Sequence, residues 1–438
     1  METGRSGSGC LRHRFNLAVS EGRFAAGVRF RAVLVTAGLN FLAAACATSR
    51  PPGVPSRTVE PERVVIRNNL VTPPAMLPIR ESDEATSAEL GSALAEGVAV
   101  REELDWVRRE EAVSSGQMTA GQYLVTYLIT PSDDYYDLEA ATSDLPAHHT
   151  TVLPGSAHVA ILVQDAADGR IVQGLDVRAT IGTDGSAERR TIGLPYGWHP
   201  VLNRYGDNVV LPASPFTLGV HIGMPGYARH DSVNGNRFRG TVVARFSGIT
   251  VSADSLAAAA QRLARGEPHS AVIFSEREGG EVDRPLHELL RRPGTDGAQV
   301  RSGDYRIAVV VTRGHGYWEV HDEKLSYRQP VSRAGRVMHI DVSIRDATTG
   351  RFIPDMHVQA AIVDSRNRTI GNYELPMTWH PWFYHYGQDV EVSGSERYAI
   401  RVRAEAPAVR RYGSVALRKF NRPINVLVRG IHFATGTQ

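Results

Sequence analysis

HVAILVQDAADGRIVQGLDVRATI (residues 158–181) and HIDVSIRDATTGRFIPDMHVQAAI (residues 339–362) are one pattern written twice, 181 residues apart. Each opens on an apolar run of strand length, passes through a turn ending in Gly-Arg, and resumes as a second strand-like run. From His158 to Val209 the register never slips, and 16 of 52 positions are identical to those from His339 to Val390. Leu194-Pro195 matches Leu375-Pro376, Trp198-His199-Pro200 matches Trp379-His380-Pro381, and Tyr205-Gly206 matches Tyr386-Gly387. Upstream, Gly121-Gln122-Tyr123 and the run after it match Gly303-Asp304-Tyr305 at an offset of 182. Self-similarity of this extent marks an internal duplication.

Two further pairs, NVVLP with FTLGVHI and DVEVSG with YAIRVRAE, are also strand-like, and no strand–helix–strand alternation appears. This spacing predicts an all-β fold: two tandem immunoglobulin-like β-sandwich domains, with short helical segments preceding each. The first domain is expected over residues 119–250 and the second over 303–438, as separate or side-by-side sandwiches whose sheets do not mix. A helical segment at 81–118 precedes the first, with Leu90, Leu94, Leu104 and Val107 at near-helical spacing between Ser87 and Ala112. A helical linker at 251–302 precedes the second; DSLAAAAQRLAR (254–265) starts on a capping residue, Asp254, and stops before Gly266.

The chain has 438 residues, 42% of them hydrophobic and 22% charged, as expected of a folded protein of two or three domains. A formal net charge of +2 with no basic stripe gives no reason to expect nucleic acid. Both cysteines, Cys10 and Cys46, lie near the start, so no disulfide, thiolate metal site or catalytic cysteine is expected after Cys46.

AVLVTAGLNFLAAA (residues 32–45) follows Arg23, Arg29 and Arg31 and is shorter than the roughly 20 residues that span a bilayer. It reads as an export signal ending in Leu42-Ala-Ala-Ala-Cys46. That ending resembles the lipobox of bacterial lipoproteins and implies lipidation of Cys46, with an ordinary secretory signal as the alternative. Residues 1–46 are therefore read as the signal peptide, its start over-extended. The Pro/Ser-rich stretch at 47–80 reads as a flexible tether. The expected location is the cell envelope, periplasmic or outer-surface, on a lipid anchor.

No nucleophile elbow, phosphate-binding glycine loop or zinc-protease helix motif occurs, so no enzymatic activity is expected. The chemistry points to the 16 histidines. Met338-His339-Ile340-Asp341 lies on a strand-like run, whose alternation places His339 and Asp341 on one face. Pro376-Met377, His380 and His385-Tyr386-Gly387 follow. Here the chain resembles the periplasmic iron-transport proteins, small immunoglobulin-like, copper- and iron-binding partners of high-affinity iron permeases.

The resemblance implies metal ligation by His339, Asp341 in place of a Glu, Met377 and His385. The family's last ligand, a late histidine, has no counterpart in the second repeat, where Arg410 and Arg411 stand; His230 of the first repeat falls where it belongs. In the first repeat His158 matches, but Ala160 and Arg204 replace the carboxylate and the second imidazole. Members of this family are dimers, so the duplication implies an intramolecular pseudo-dimer and one composite site, His230 joining the ligands of the second repeat. The bland reading of His230 is a loop residue beside Asp231. His199 and His380, in the repeated Trp-His-Pro corners, are read first as structural turns and second as ligands. His148, His149, His315 and His321 are read as solvent-facing.

An imidazole, thioether and carboxylate set suits copper or iron. The function expected is extracytoplasmic, non-catalytic transition-metal binding in iron or copper acquisition. The expected partner is an iron permease or another envelope transport component. The alternative is an immunoglobulin-like structural or adhesion lipoprotein without metal.

Overall fold

The computed structural model describes residues 78–137, 148–150, 156–265, 269–292, 295–330, 336–392, 397–413 and 419–433. Cys10, Cys46 and the signal peptide lie outside the described residues, as does nearly all of the tether. No described helix is long and apolar enough to cross a membrane.

The first repeat contributes helix α1 (Ser87–Glu110) and strands β1 (Ser114–Ala120), β2 (Tyr123–Pro131), β3 (Tyr135–Asp137), β4 (His148–Thr150), β5 (Ser156–Asp165), β6 (Val177–Thr183), β7 (Arg190–Gly193), β8 (Tyr196–Trp198), β9 (Arg204–Val210), β10 (Phe216–Ile222), β11 (Ala228–His230) and β12 (Val242–Ile249). Helices α2 (Ala253–Arg265) and α3 (His269–Leu289) lead into the second repeat. It comprises β13 (Asp296–Ser302), β14 (Tyr305–Arg313), β15 (Tyr317–His321), β16 (Lys324–Arg328), β17 (Arg336–Asp346), β18 (Val358–Val363), β19 (Thr369–Leu375), β20 (Met377–Trp379), β21 (Tyr384–Val392), β22 (Arg397–Ala404), β23 (Arg410–Tyr412) and β24 (Ile424–His432).

The fold is all-β in its body, two sandwiches each made of an eight-stranded and a four-stranded sheet. The large sheets run β1-β2-β5-β9-β8-β23-β3-β4 and β13-β14-β17-β21-β20-β11-β15-β16; the small ones run β12-β10-β6-β7 and β19-β18-β22-β24. The expectation that no sheet mixes the repeats is corrected here. Strand β23 of the second repeat sits between β8 and β3, and β11 of the first sits between β20 and β15. Arg411 pairs with Trp198 and Arg229 pairs with Trp379, in parallel, so the exchange is reciprocal. Both repeats belong to one compact unit.

The unbroken apolar runs have a simple cause. In β14, Ile307, Val309 and Val311 enter the main core, while Ala308 and Val310 face the other way, against Val282 and Leu286 of α3. A sheet covered on both faces needs apolar residues at every position. The helical boundaries shift accordingly: strand begins at Ser114, inside the stretch read as helical, and at Asp296, inside the linker.

The duplicate of α1 is α3, not the α2 segment singled out by its capping residue. Glu96-Gly97 of α1 and Glu278-Gly279 of α3 correspond at the offset of 182. A Cβ on Gly97 would lie 1.9 Å from the Asp168 carbonyl oxygen, and one on Gly279 would lie 2.0 Å from that of Thr349. Each helix therefore seats on the turn after β5 or β17 through a bare glycine. Helix α1 starts cleanly, because Thr86 and Glu89 cap one another's backbone N–H groups.

Gly97→Ala is expected to destabilise the fold by about 3 kcal/mol, since neither backbone can give way. Gly91→Ala is the control. It lies on the same helix with open space around it, and should gain up to about 1 kcal/mol from helix propensity. Denaturant melts of the two variants measure both; equal effects would show that the seat is not tight.

Candidate metal centre

Strand β17 lies between β14 and β21. Its Ile340 and Val342 point into the core, so His339 and Asp341 share the opposite face. Across the ladder, His339 is opposite Asp389 and Asp341 is opposite Gly387, two residues beyond His385. Gly387 is there for space: a Cβ would lie 2.6 Å from His339 Nε2 and 2.7 Å from His385 Cδ2. Strand β11 then brings His230 in from the other repeat.

The result is three imidazoles, on His230, His339 and His385, each 2% exposed or less. One ring nitrogen from each lies within 4.8 Å of the others. His230 Nε2 is 3.1 Å from His339 Nε2. Asp341 Oδ1 is 3.4 Å from His339 Nε2 and 3.0 Å from His385 Nε2. Four donors about 2.0–2.1 Å from a tetrahedral ion stand about 3.3 Å apart. The His230–His339, His339–Asp341 and His385–Asp341 separations match that edge, and the three imidazole nitrogens lie within 4.8 Å of one another, a spacing that a small transition-metal ion can close.

The outer ring nitrogens are anchored. His339 Nδ1 is 2.9 Å from Asp389 Oδ1, and His230 Nδ1 is 3.0 Å from Glu84 Oε2. An imidazole that donates Nδ1–H to a carboxylate turns Nε2 toward the centre with its basicity raised. Nδ1 of His385 has no hydrogen-bond partner among the described residues.

Electrostatics follow from this packing. Burial pulls His339 down, but Asp341 and then Asp389 overcome it and lift its pKa to about 10. Burial works against ionised Asp341 as well, yet His385 and His339 hold its carboxyl well below the usual carboxylate range. His385 is lowered to about 4, by burial that Asp341 only partly offsets. At neutral pH the cluster therefore holds a proton on His339, whose Nε2 faces that of His230. His385 is already free to coordinate.

Met377 is not among these donors, which corrects the expected set. It pairs across with Tyr386, one position out of phase with His385, so its side chain packs on the core with its sulfur beside Gly174. His380 sits at the margin: its Nε2 is 3.9 Å from Glu84 Oε2, and its ring centroid is 5.8 Å from that of His230. His315 is half-buried rather than solvent-facing, its Nδ1 4.0 Å from Glu84 Oε1. His321 is exposed, with Glu319 and Arg328. His148 and His149 lie on β4, with side chains outside the described residues.

The first repeat holds a twin of this pocket without its ligands. His158 stands for His339, with Nδ1 3.2 Å from Asn208 Oδ1 where His339 meets Asp389. Ala160 stands for Asp341, Arg204 for His385, and Tyr412, carried in on β23, for His230. The Arg204 guanidinium lies 3.4 Å from Glu111 and 3.7 Å from Asp133, over the Tyr412 ring. Burial and then Arg204 push His158 down to about 3. A fixed cation occupies the place that an ion would take. His199 is a turn residue, its Nδ1 accepting from the N–H groups of Val201 and Leu202.

Glu84 was not singled out in the sequence; it lies in an irregular stretch before α1, and no local pattern distinguishes it. Asp389 was visible in the motif after Tyr386-Gly387, but only the strand register shows that it holds His339.

No protein-family model matches the chain, and no curated protein matches it. Among solved structures, FetP of uropathogenic Escherichia coli strain F11 aligns at 14% identity and a TM-score of 0.23, over 31% of this chain and 95% of FetP. A copper-bound variant of FetP aligns at 15% identity and a TM-score of 0.24, over 31% and 94%. Dimeric latent PorU from Porphyromonas gingivalis gives 9% identity and a TM-score of 0.13, over 73% of this chain and 34% of PorU. All three likenesses are weak, and the donor geometry stands independently of them.

Proposed function

We propose that this chain is an extracytoplasmic, non-catalytic carrier of a transition metal, copper or iron, acting in metal acquisition and lipid-anchored through Cys46. The observation that supports it most is the buried trio of His230, His339 and His385, drawn from both repeats, with Asp341 beside His339 and His385. Three imidazoles and a carboxylate, without a thioether, suit a divalent ion better than Cu(I). In this reading the ion is passed to an iron permease or another envelope transport component.

The test is metal loading of the purified full-length protein across a pH series. We expect one Cu(II) or Fe(II) per chain, since the twin pocket is filled by Arg204. Binding must displace the proton on His339, so apparent affinity should tighten by about tenfold per pH unit from pH 6.5 to 8.5. Without metal the sign is opposite: His339 has a raised pKa, so its ion pairs stabilise the fold fully below pH 6.5 and are lost as pH rises through about 10. Binding that is unchanged by His339→Ala, or that weakens with rising pH, would sink the proposal.

A further inference from the structure

The three imidazoles are so fully covered that an ion cannot reach them unless some part of the chain moves. His339, Asp341 and His385 lie on adjacent strands inside an eight-stranded sheet, where opening would break the ladder on both sides. The cover over His230 is different in kind. Residues 80–86 form an irregular strap leading to the cap of α1, held to the 230–234 loop by side-chain hydrogen bonds. Arg80 N–H donates to Asn234 Oδ1 and Asn234 Nδ2 donates to the Arg80 carbonyl, each at 2.8 Å. Ser82 Oγ donates to Asp231 Oδ2 at 2.6 Å, which Asn234 Nδ2 also meets at 2.6 Å. Glu84 closes the series on His230 itself.

We propose that residues 80–86 are a latch over the metal position, docked on the 230–234 loop, with Glu84 as the positioning residue that turns His230 Nε2 toward the ion. The inference rests on the metal-carrier reading. With the latch docked, the Glu84 carboxylate takes the Nδ1–H of His230, which fixes the tautomer and leaves Nε2 to the ion. With the latch undocked, His230 loses that anchor and the covering chain lifts together, so the ion is left with the ligands of the second repeat and a path to solvent. Asp231, next to His230, has φ +75°, a left-handed conformation that Asp tolerates better than most residues. Its side chain is the one that Ser82 holds, so the strap also braces the backbone presenting His230. Asn234 and Ser82 thus act on the ion without touching it.

The experiment follows Co(II), whose visible spectrum reports its coordination, in the full chain. Loading and chelator-driven release are measured by stopped flow for wild type, Asn234→Ala, Ser82→Ala and Glu84→Gln, with metal-free melting curves for each. Asn234→Ala and Ser82→Ala should release Co(II) about tenfold faster with the bound spectrum unchanged. Glu84→Gln should weaken affinity by about 10–100-fold and shift the spectrum. If Asn234→Ala proves too unstable to study, Ser82→Ala, which removes one hydrogen bond, decides. Lower melting temperatures with release rates and affinity at wild-type values would overturn the latch and leave the carrier standing. A wild-type protein that takes up no Co(II) would overturn the carrier and the latch with it.

Discussion

His230→Ala is expected to weaken binding of the metal at least about a hundredfold, although this residue lies 109 positions from His339 and in the other repeat. Loss of a carboxylate that merely orients a ligand costs 10–100-fold, and His230 is itself a donor. The effect can be read as stability. At a metal concentration about a hundredfold above Kd, wild type gains about 2.7 kcal/mol, and a hundredfold weaker variant gains about 0.4 kcal/mol. His158→Ala is the control, a buried histidine of the arginine-filled twin at the position equivalent to His339, and should leave binding untouched. If His230→Ala keeps the full metal-induced shift in melting temperature, the site does not span the repeats.

Expressed separately, residues 1–250 and 251–438 are expected to aggregate, and expressed together to form a soluble pair. Each half would lose the strand that joins β8 to β3, or β20 to β15, leaving a gap in its eight-stranded sheet. The gap would bare the edges of β8 or β20, and open edges invite pairing with other chains. Trp198 and Trp379, now 3% and 1% exposed, would lose the strand paired with them. Each half would also carry an unpaired β11 or β23, whose Arg229 and Arg411 are fully buried in the intact chain. Two halves that each melt sharply and reversibly alone would show that the exchange adds little to either domain.

Glu84, Met377 and α3 show where local reading ends. Met377 sits beside a strand turn in a motif that resembles a ligand motif, yet the pairing of Met377 with Tyr386 puts its sulfur on the core side. A one-residue change of register reverses the face of a strand residue, and register is set by the partner strand. The real duplicate of α1 was hidden because α3 contains Gly279-Gly280 and Pro285, which read as breakers. Gly279 is there because a backbone must pass close by, a reason that lies wholly in the packing.

The chain's own periodicity determined the duplication, the all-β character, and the placing of His339 and Asp341 on one face, because strand alternation is a property of consecutive residues. His385 and, from the first repeat, His230 entered the expected set only through the family resemblance. Tertiary structure alone decided that β11 and β23 change places, that Glu84 and Asp389 anchor the imidazoles, and that Arg204 fills the twin pocket. A three-residue strand carries too little sequence to declare its partner. The contact between His230 and His339 exists only once two sandwiches have closed on each other.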